Sequence, residues 1–171
     1  LVAVAAGAGG HAGTLSPFAL IQEIREWFDG TLLLSGSIAN GGAVLAAQAM
    51  GADLAYIGSA FIATNEANAD QRYKEMITNS SADDIIYTNL FTGVHGNYLK
   101  GSIEAQGLDP HNLETSDNSK MNFSSGASKP KSWKEIWGSG QGISAVKSIL
   151  PAKDLIKRIN NEYQDAKNKL L

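Results

Sequence analysis

Three short apolar segments, each ending near a glycine and separated from the next by one helical segment, constrain the fold of this 171-residue chain most strongly. They cover Leu1 to Ala6, Thr31 to Leu34 and Leu54 to Ile57. Short apolar runs bounded by glycine are typical of strands that are covered on both faces. Strands that are joined by single helical crossovers run parallel. The sequence therefore predicts an α/β fold with the element order β, α, β, α, β.

The helical segments carry recognisable start signals. Ser16 is a predicted N-cap that precedes Pro17 at the first helical position, and Asn40 precedes a second helix of small residues. A last amphipathic helix is predicted from Pro151 onward. The first helix is expected to bury one face made of Leu20, Ile21, Ile24, Trp27 and Phe28. The last helix is expected to bury a stripe made of Leu155, Ile156, Ile159, Tyr163, Ala166 and Leu170.

Composition excludes several classes of protein. The formal net charge is -3 and the 14 Lys and Arg residues are scattered, so the chain has no basic face for a nucleic acid. No apolar run reaches the roughly 20 residues of a membrane span. The absence of cysteine excludes disulfides and thiolate metal sites, and it fits a cytoplasmic protein. We expect no metal site, no nucleic-acid partner and no membrane partner.

The middle of the chain differs in character from its first third. A small helical insertion is predicted after Asn68, with helices over Gln71 to Thr78 and Tyr98 to Gln106. The segment from Thr115 to Ser132 contains six serines in eighteen residues, together with a glycine and a proline. That composition predicts a mobile loop.

Glycine-serine turns follow the second and third predicted strands. The first contains Gly36 and Ser37, and the other contains Gly58 and Ser59. The carboxyl ends of neighbouring parallel strands meet at one edge of the sheet, where exposed backbone amides can bind phosphate. The hydroxyl groups of the serines add further donors. The alternative is that both are tight strand-to-helix turns that bind no ligand.

The glycine loop after the first strand contains His11. A dinucleotide-binding loop would start its helix inside the glycines and place an acidic residue about 20 positions later, and this sequence has neither feature. The favoured interpretation is that the glycines let a flat ring lie against the backbone while His11 projects over it. A neutral imidazole at that place can accept a proton. Alternatively, His11 hydrogen-bonds a loop carbonyl or caps the next helix.

Other polar and aromatic residues give weaker signals. Gln141, between Gly140 and Gly142, either contacts a ligand or belongs to a helix-entry turn. His95 and His111 are expected at the surface because no cysteine or suitably spaced carboxylate accompanies them as a metal ligand. Trp133 and Trp137 are four residues apart, a spacing that indicates packing more often than stacking on a ligand.

Five segments together resemble the nitronate monooxygenases, formerly called 2-nitropropane dioxygenases. They read AGGHAG, LSGSIANGGAVLAAQAMGAD, IGSAFIATNEA, FTGV and WGSGQG, the last shortly before the terminal helix. The resemblance implies an FMN-dependent TIM (β/α)8 barrel with an inserted helical region. The implied reaction is the oxidation of alkyl nitronates or nitroalkanes by molecular oxygen to a carbonyl compound and nitrite. The GGHxG segment is shared with FMN-dependent enoyl-thioester reductases, which keeps that activity open as an alternative.

The resemblance also implies roles for individual residues. His11 matches the active-site histidine, which is the expected base for the α-carbon proton. Gly9 and Gly10 are expected beside the flavin. The residues expected to hold its phosphate are Gly36, Ser37, Gly58 and Ser59. Gln141 is added to the cofactor-binding set, and the candidates for lining the substrate pocket are Tyr87, Phe91, His95 and Tyr98.

Members of that family are roughly twice as long as this chain, which predicts that it is the carboxyl-terminal half of an enzyme. Its amino-terminal half is the expected partner, and a homodimer is also considered. Residues 1–68 would be part of an FMN-binding barrel, residues 69–132 the insertion with its flexible loop, and residues 133–171 the return to the barrel with the terminal helix. A third possibility is an inactive half-barrel that needs the missing half.

Overall fold

The structure is a computed structural model that describes residues 1–115 and 135–170. The first elements are β1 (Val2–Val4), β2 (Gly10–His11), α1 (Pro17–Arg25), β3 (Leu33–Ser35), α2 (Gly41–Ala49) and β4 (Leu54–Tyr56). They are followed by α3 (Ser59–Ile62), α4 (Gln71–Asn79), β5 (Ile85–Thr88), β6 (Gly96–Leu99), α5 (Lys100–Glu104) and α6 (Ala152–Leu170). Two 3-10 helices cover Ala82–Asp84 and Gln141–Ala145.

The three predicted parallel strands are confirmed. They form one sheet in the order β1, β3, β4, and both neighbouring pairs are parallel. The register aligns Val2 with Leu33 and Leu33 with Leu54. Because the strands are aligned in this way, the loops that follow them leave the sheet at one edge.

The predicted N-cap at Ser16 is confirmed, and Asn40 caps α2 in the same way. The Ser16 hydroxyl accepts a hydrogen bond of 3.3 Å from the backbone N–H of Ala19. The Asn40 side-chain oxygen accepts one of 2.8 Å from the N–H of Ala43. Each bond satisfies a backbone donor that the first helical turn leaves without a partner.

The end of α1 differs from the expectation. The helix stops at Arg25, and the side chain of Trp27 is 67% exposed. The Arg25 guanidinium donates to the carbonyls of Phe28 and Gly30 and also binds Asp53 at 2.8 Å. These bonds hold the chain in a turn directly after Arg25, so the helical spacing no longer applies to Trp27. The prediction that Trp27 belongs to the buried face was wrong.

One face of the parallel sheet is packed and the other is open. The packed face contributes Ala3 and Leu34 to a core formed with α1 and α2. The buried members of this core are Ala3, Ala5, Ile21, Ile24, Leu32, Leu34, Ala47 and Ala52. On the opposite face Val2, Val4, Leu54 and Tyr56 are between 40% and 55% exposed.

The segment predicted as a helical insertion contains strands as well as helices. α4 agrees with the expected helix, but β5 and β6 pair as antiparallel strands, and β6 also pairs with β2. The helix predicted from Tyr98 to Gln106 begins only at Lys100, because Tyr98 and Leu99 lie in β6. This second sheet has the order β2, β6, β5.

A second core joins the later elements to α3 and to the loop after β3. Its buried residues are Ala39, Ala60, Ala63, Ile77, Leu99, Ile143, Val146 and Leu155. α6 packs against α2, and the Glu162 carboxylate accepts a hydrogen bond of 2.9 Å from the N–H of Gly41. Gly41 lies so close to the backbone of Tyr163 that a Cβ could not be accommodated there. Of the predicted stripe of α6, Leu155 is buried, whereas Ile156 and Leu170 are exposed.

Two expectations fall wholly or largely outside the described residues. The predicted mobile loop from Thr115 to Ser132 lies there except for Thr115, and Trp133 lies there as well.

Within residues 1–115 and 135–170, none of the helices combines the length and the apolar character that crossing a membrane requires.

Candidate active site

A cavity of about 280 Å³ lies where the loops leave the parallel sheet. It is lined by the loop after β1, the turns after β3 and β4, and the segment before the Gln141–Ala145 3-10 helix. The lining includes six of the residues predicted to bind the cofactor, which are Gly9, Gly10, Gly36, Ser37, Gly58 and Ser59. The structure therefore brings together glycine turns that are far apart in the sequence.

Hydrogen bonds hold these loops against one another. The carbonyl of Gly7 accepts bonds from the N–H of Ser37 at 3.2 Å and from the N–H of Gln141 at 2.9 Å. The Ser59 hydroxyl accepts a bond of 2.9 Å from the N–H of Gly140. The N–H of Ser37, which the sequence suggested as an exposed phosphate donor, is thus used within the protein.

The loops that line the cavity are together called the cradle below. Close backbone contacts require glycine at two positions of this cradle. Gly36 has a φ of 138°, and a Cβ on it would lie 2.9 Å from the carbonyl oxygen of Ala6. A Cβ on Gly140 would lie 2.6 Å from the carbonyl oxygen of Gly7. Side chains at these positions would force the loops apart.

Gly58 has a different environment. Its φ is -108°, which any residue adopts, and a Cβ built on it meets no atom within 4 Å. Gly10 also faces open space, although its φ of 71° favours glycine by itself. Packing within the protein therefore does not account for glycine at position 58, whereas a group bound against the backbone would.

An aromatic pair forms one wall of the cavity. The rings of Tyr73 and Trp137 stack with their centroids 5.0 Å apart, and the guanidinium of Arg72 lies 5.9 Å from the Trp137 ring. The Tyr73 hydroxyl donates a hydrogen bond to the carbonyl of Gly138. Burial raises the pKa of Tyr73 to about 12, so its hydroxyl keeps its proton at neutral pH. The sequence pointed to packing for Trp137, but no signal linked it to Tyr73.

The cavity lining is uncharged and combines apolar side chains with backbone amides and serine hydroxyls. Among the described residues that line it, none has a charged side chain. Backbone N–H groups and serine hydroxyls are the donors that an anion would meet there. The described residues also contain no group of three His, Asp or Glu side chains able to hold a metal ion.

His11 lies next to the cavity on β2, directly after the lining residue Gly10. Its side chain is exposed, and its Nε2 atom lies 3.0 Å from the hydroxyl oxygen of Thr92. Thr92 belongs to the loop between β5 and β6, which the sequence did not connect with the first glycine loop. Pairing of His11 with Gly96 brings the two segments together.

Gln141 occupies the start of the 3-10 helix and is not among the residues that line the cavity. Its side-chain oxygen lies against Gly7, where a Cβ would be 2.8 Å from it. The predicted direct contact between Gln141 and a ligand remains a prediction. Its backbone bond to Gly7 gives it a part in shaping the loop.

The four candidate substrate residues form two ring pairs. Tyr87 stacks on His95 with centroids 5.0 Å apart, and the Tyr87 hydroxyl donates to the carbonyl of Ala12 at 2.9 Å. Phe91 meets Tyr98 edge to face at 5.2 Å. Tyr98 is only 1% exposed, so it supports Phe91 from within the core. Tyr87 and His95 are exposed near the loop that contains Thr92.

Comparison with known proteins gives the family. The family profile described as nitronate monooxygenase matches residues 1–162. The chain belongs to the nitronate monooxygenase family. This confirms the resemblance that the sequence segments indicated, and with it the expectation of an enzyme family.

Individual relatives of this chain agree with its membership of the nitronate monooxygenase family. A nitronate monooxygenase from Paraburkholderia phytofirmans is 27% identical over 182 residues, which cover 97% of this chain and 49% of the relative. A probable nitronate monooxygenase from Staphylococcus haemolyticus is 24% identical, with 82% of this chain and 44% of the relative covered. The chain thus spans about half the length of the curated relatives it matches.

Solved structures show the same relationship at the level of the fold. FabK from Thermotoga maritima superposes with a TM-score of 0.75 and 22% identity, covering 99% of this chain and 55% of that one. A nitroalkane oxidase from Streptomyces ansochromogenes superposes with a TM-score of 0.72 and 22% identity, covering 99% and 53%. Nearly all of this chain therefore has the fold of about half of each larger protein.

Proposed function

We propose that this chain is part of an FMN-dependent enzyme that oxidises alkyl nitronates or nitroalkanes with molecular oxygen to a carbonyl compound and nitrite. The observation that supports the cofactor is the convergence of three strand-end turns on one cavity, with open space against Gly10 and Gly58. Membership of the nitronate monooxygenase family supports the proposed reaction class.

The open space against Gly10 and Gly58 and the uncharged donors of the cradle support FMN as the ligand. Gly36, Ser37, Gly58 and Ser59 are the proposed phosphate contacts, and Gly9 and Gly10 are the proposed neighbours of the ring. Glycine permits the close approach of a ligand to the backbone, and uncharged N–H and O–H donors suit a phosphate at a strand end. When bound, FMN accepts electrons from the substrate and passes them to oxygen.

His11 is the proposed catalytic base. A nitro group acidifies the proton on the neighbouring carbon, and an imidazole is suited to removing such a proton near neutral pH. His11 follows the lining residue Gly10 in β2, and its exposed position lets the proton leave to solvent. A nitronate has already lost this proton and does not need the base.

The parallel sheet is the proposed closing part of a TIM (β/α)8 barrel. On its open face the apolar side chains of Val2, Val4, Leu54 and Tyr56 are those that a barrel interior would cover. β1 and β4 are the outer strands of the sheet, so each has an unpaired edge. A groove of about 460 Å³ between β4 and the helices α2, α3 and α6 lies at one of these edges.

We assign these exposed surfaces to the amino-terminal half of the protein, which the length of the relatives implies. In this proposal residues 1–68 belong to the FMN-binding barrel, residues 69–132 form the insertion, and residues 133–171 return to the barrel. A part without its other half would retain the cradle but lack the remaining ring contacts. Catalysis is accordingly expected of the completed protein.

Replacement of His11 by Asn in the protein completed by its amino-terminal half tests the proposal. The variant is expected to retain its yellow cofactor, to lose turnover of a neutral nitroalkane, and to keep turnover of the preformed nitronate, with oxygen uptake and nitrite as readouts. Undiminished turnover of the nitroalkane would remove His11 from the mechanism. Rapid anaerobic bleaching of the flavin by NADH or NADPH would instead indicate an enoyl-thioester reductase. A colourless protein that takes up no FMN would indicate an inactive half-barrel.

A further inference from the structure

The hydroxyl of Thr92 has three hydrogen-bonding neighbours. Its oxygen lies 2.9 Å from the carbonyl oxygen of Val94, 3.3 Å from the backbone nitrogen of Val94 and 3.0 Å from Nε2 of His11. A threonine hydroxyl has one hydrogen to donate and two lone pairs that accept. Three neighbours therefore use its full hydrogen-bonding capacity.

The positions of the hydrogens follow from which neighbours can donate. A carbonyl oxygen only accepts, so the contact with the Val94 oxygen is a hydrogen bond only if the Thr92 hydroxyl donates its hydrogen there. The Val94 N–H donates to one lone pair of the hydroxyl oxygen. With the hydroxyl hydrogen committed to Val94, the contact with Nε2 of His11 is completed by a hydrogen on Nε2. In the opposite arrangement two oxygen atoms would face each other at 2.9 Å without a hydrogen between them.

We propose that Thr92 is a positioning residue that holds His11 in the tautomer with its hydrogen on Nε2. This inference rests on the proposed function, because it concerns the base of that reaction. A neutral imidazole with its hydrogen on Nε2 has its lone pair on Nδ1. When the base acts, the C–H bond of the nitroalkane breaks, an N–H bond forms on the imidazole, and the electron pair remains on the nitronate.

The surrounding structure fixes the partners of this bond. Thr92 is tied to Val94 by two hydrogen bonds within its own loop. The strand that contains His11 is bound to the same loop through the N–H of Ala12, which donates to the carbonyl of His95 at 3.2 Å. The Tyr87 hydroxyl donates to the carbonyl of Ala12 from β5, the strand on the far side of β6. Thr92 is therefore held within its own loop, and the chain next to His11 is held both to that loop and to β5.

The test compares Thr92→Val, which keeps the shape but lacks the hydroxyl, with Thr92→Ser, which keeps the hydroxyl. The first readout is nitrogen NMR of the protein with 15N-labelled histidine, which distinguishes a protonated from an unprotonated ring nitrogen. The chain has three histidines, and His11→Gln identifies the signals of His11 by their loss. Wild type and Thr92→Ser are expected to show the hydrogen on Nε2, and Thr92→Val is expected to show a mixture of tautomers.

The second readout is turnover by the completed, flavin-loaded protein. Thr92→Val is expected to lower kcat on a nitroalkane by about tenfold, the size expected for losing one hydrogen bond that orients the base, with turnover of the nitronate unchanged. Thr92→Ser should restore the nitroalkane rate. A structural defect would lower both rates alike and would overturn the proposal, as would a hydrogen found on Nδ1 in wild type.

The two proposals fail in distinguishable ways. If His11→Gln left nitroalkane turnover intact, the role of His11 as base would be wrong, and that result would also overturn the positioning role in catalysis. In another outcome, His11→Gln abolishes nitroalkane turnover, while Thr92→Val changes neither the tautomer nor the ratio of the nitroalkane rate to the nitronate rate. That outcome would support His11 as the base and exclude the positioning role of Thr92.

Discussion

The hydroxyl of Ser59 accepts a hydrogen bond of 2.9 Å from the backbone N–H of Gly140, a residue 81 positions further along the chain. This bond joins the turn after β4 to the loop that closes the cavity from the other side. The sequence predicted Ser59 as a phosphate donor, and the structure shows that its oxygen supports the cradle through this bond. The two uses are compatible, since the hydroxyl hydrogen is still available to a ligand.

Ser59→Ala is expected to destabilise the protein, because it leaves the buried N–H of Gly140 without this acceptor. The expected loss is about 1–3 kcal/mol in the free energy of unfolding, with weaker binding of FMN. Denaturant unfolding and a flavin titration measure the two effects. Ser59→Thr keeps the hydroxyl and serves as the control, so equal behaviour of the two variants would show that the bond is unimportant.

Gly58→Ala separates ligand binding from folding. The φ of this residue is compatible with alanine and the space around it is open, so the free energy of unfolding without flavin should change by less than about 1 kcal/mol. The added methyl group would occupy the space proposed for FMN and weaken its binding by about tenfold or more.

Gly42→Ala is the matched control for Gly58→Ala. Gly42 lies in α2 away from the cavity lining, and a Cβ there meets its nearest atom at 3.5 Å, an ordinary contact. This variant should bind FMN as wild type does, in thermal shift and fluorescence-quenching assays alike. Unchanged flavin affinity in Gly58→Ala would show that the ligand does not lie against this turn.

Tyr73 makes the free energy of unfolding depend on pH in the alkaline range. Burial raises the pKa of its hydroxyl from 10.0 to about 12, so between these values the unfolded chain loses the proton while the folded chain keeps it. The unfolded state is then favoured increasingly, and the contribution of Tyr73 to stability falls as the pH rises from 10 to 12. The slope is about 1.4 kcal/mol per pH unit at most.

Tyr73→Phe tests this dependence. The variant lacks the bond to the Gly138 carbonyl, which should cost about 1 kcal/mol near neutral pH. Above pH 10 the difference between the two proteins should shrink and then reverse, because phenylalanine does not ionise. Denaturant unfolding at several pH values measures it. A constant difference from pH 8 to pH 12 would contradict the assigned effect of burial on Tyr73.

The sequence predicted the parallel sheet well, because the signals for it are local. The apolar segments, the caps at Ser16 and Asn40, and the glycines after each strand lie within a few residues of the elements that they define. The glycine turns could be assigned to one edge of the sheet because parallel strands all end there. For the same reason six of the predicted cofactor residues were found around one cavity.

The antiparallel sheet was missed because its pairings are distant in sequence. β2 has only two residues, Gly10 and His11, and its partner strand begins at Gly96. Such a short strand has no periodicity of its own. The contacts of His11 with Thr92 and of Tyr73 with Trp137 depend on this arrangement and could not be derived from spacing. Trp27 was misassigned because Arg25 ends the helix through contacts with loop carbonyls.

The most direct test of the cradle compares FMN with riboflavin, which has the same ring system but lacks the phosphate. Both are titrated into the isotopically labelled protein while the backbone amide signals are followed by NMR. FMN is expected to shift the amides of Gly36, Gly58 and Ser59 strongly and to bind more tightly, whereas riboflavin should affect mainly Gly9 and Gly10. If the two ligands shifted the same amides equally, or if neither changed the amides of these turns, the proposed phosphate site would be wrong.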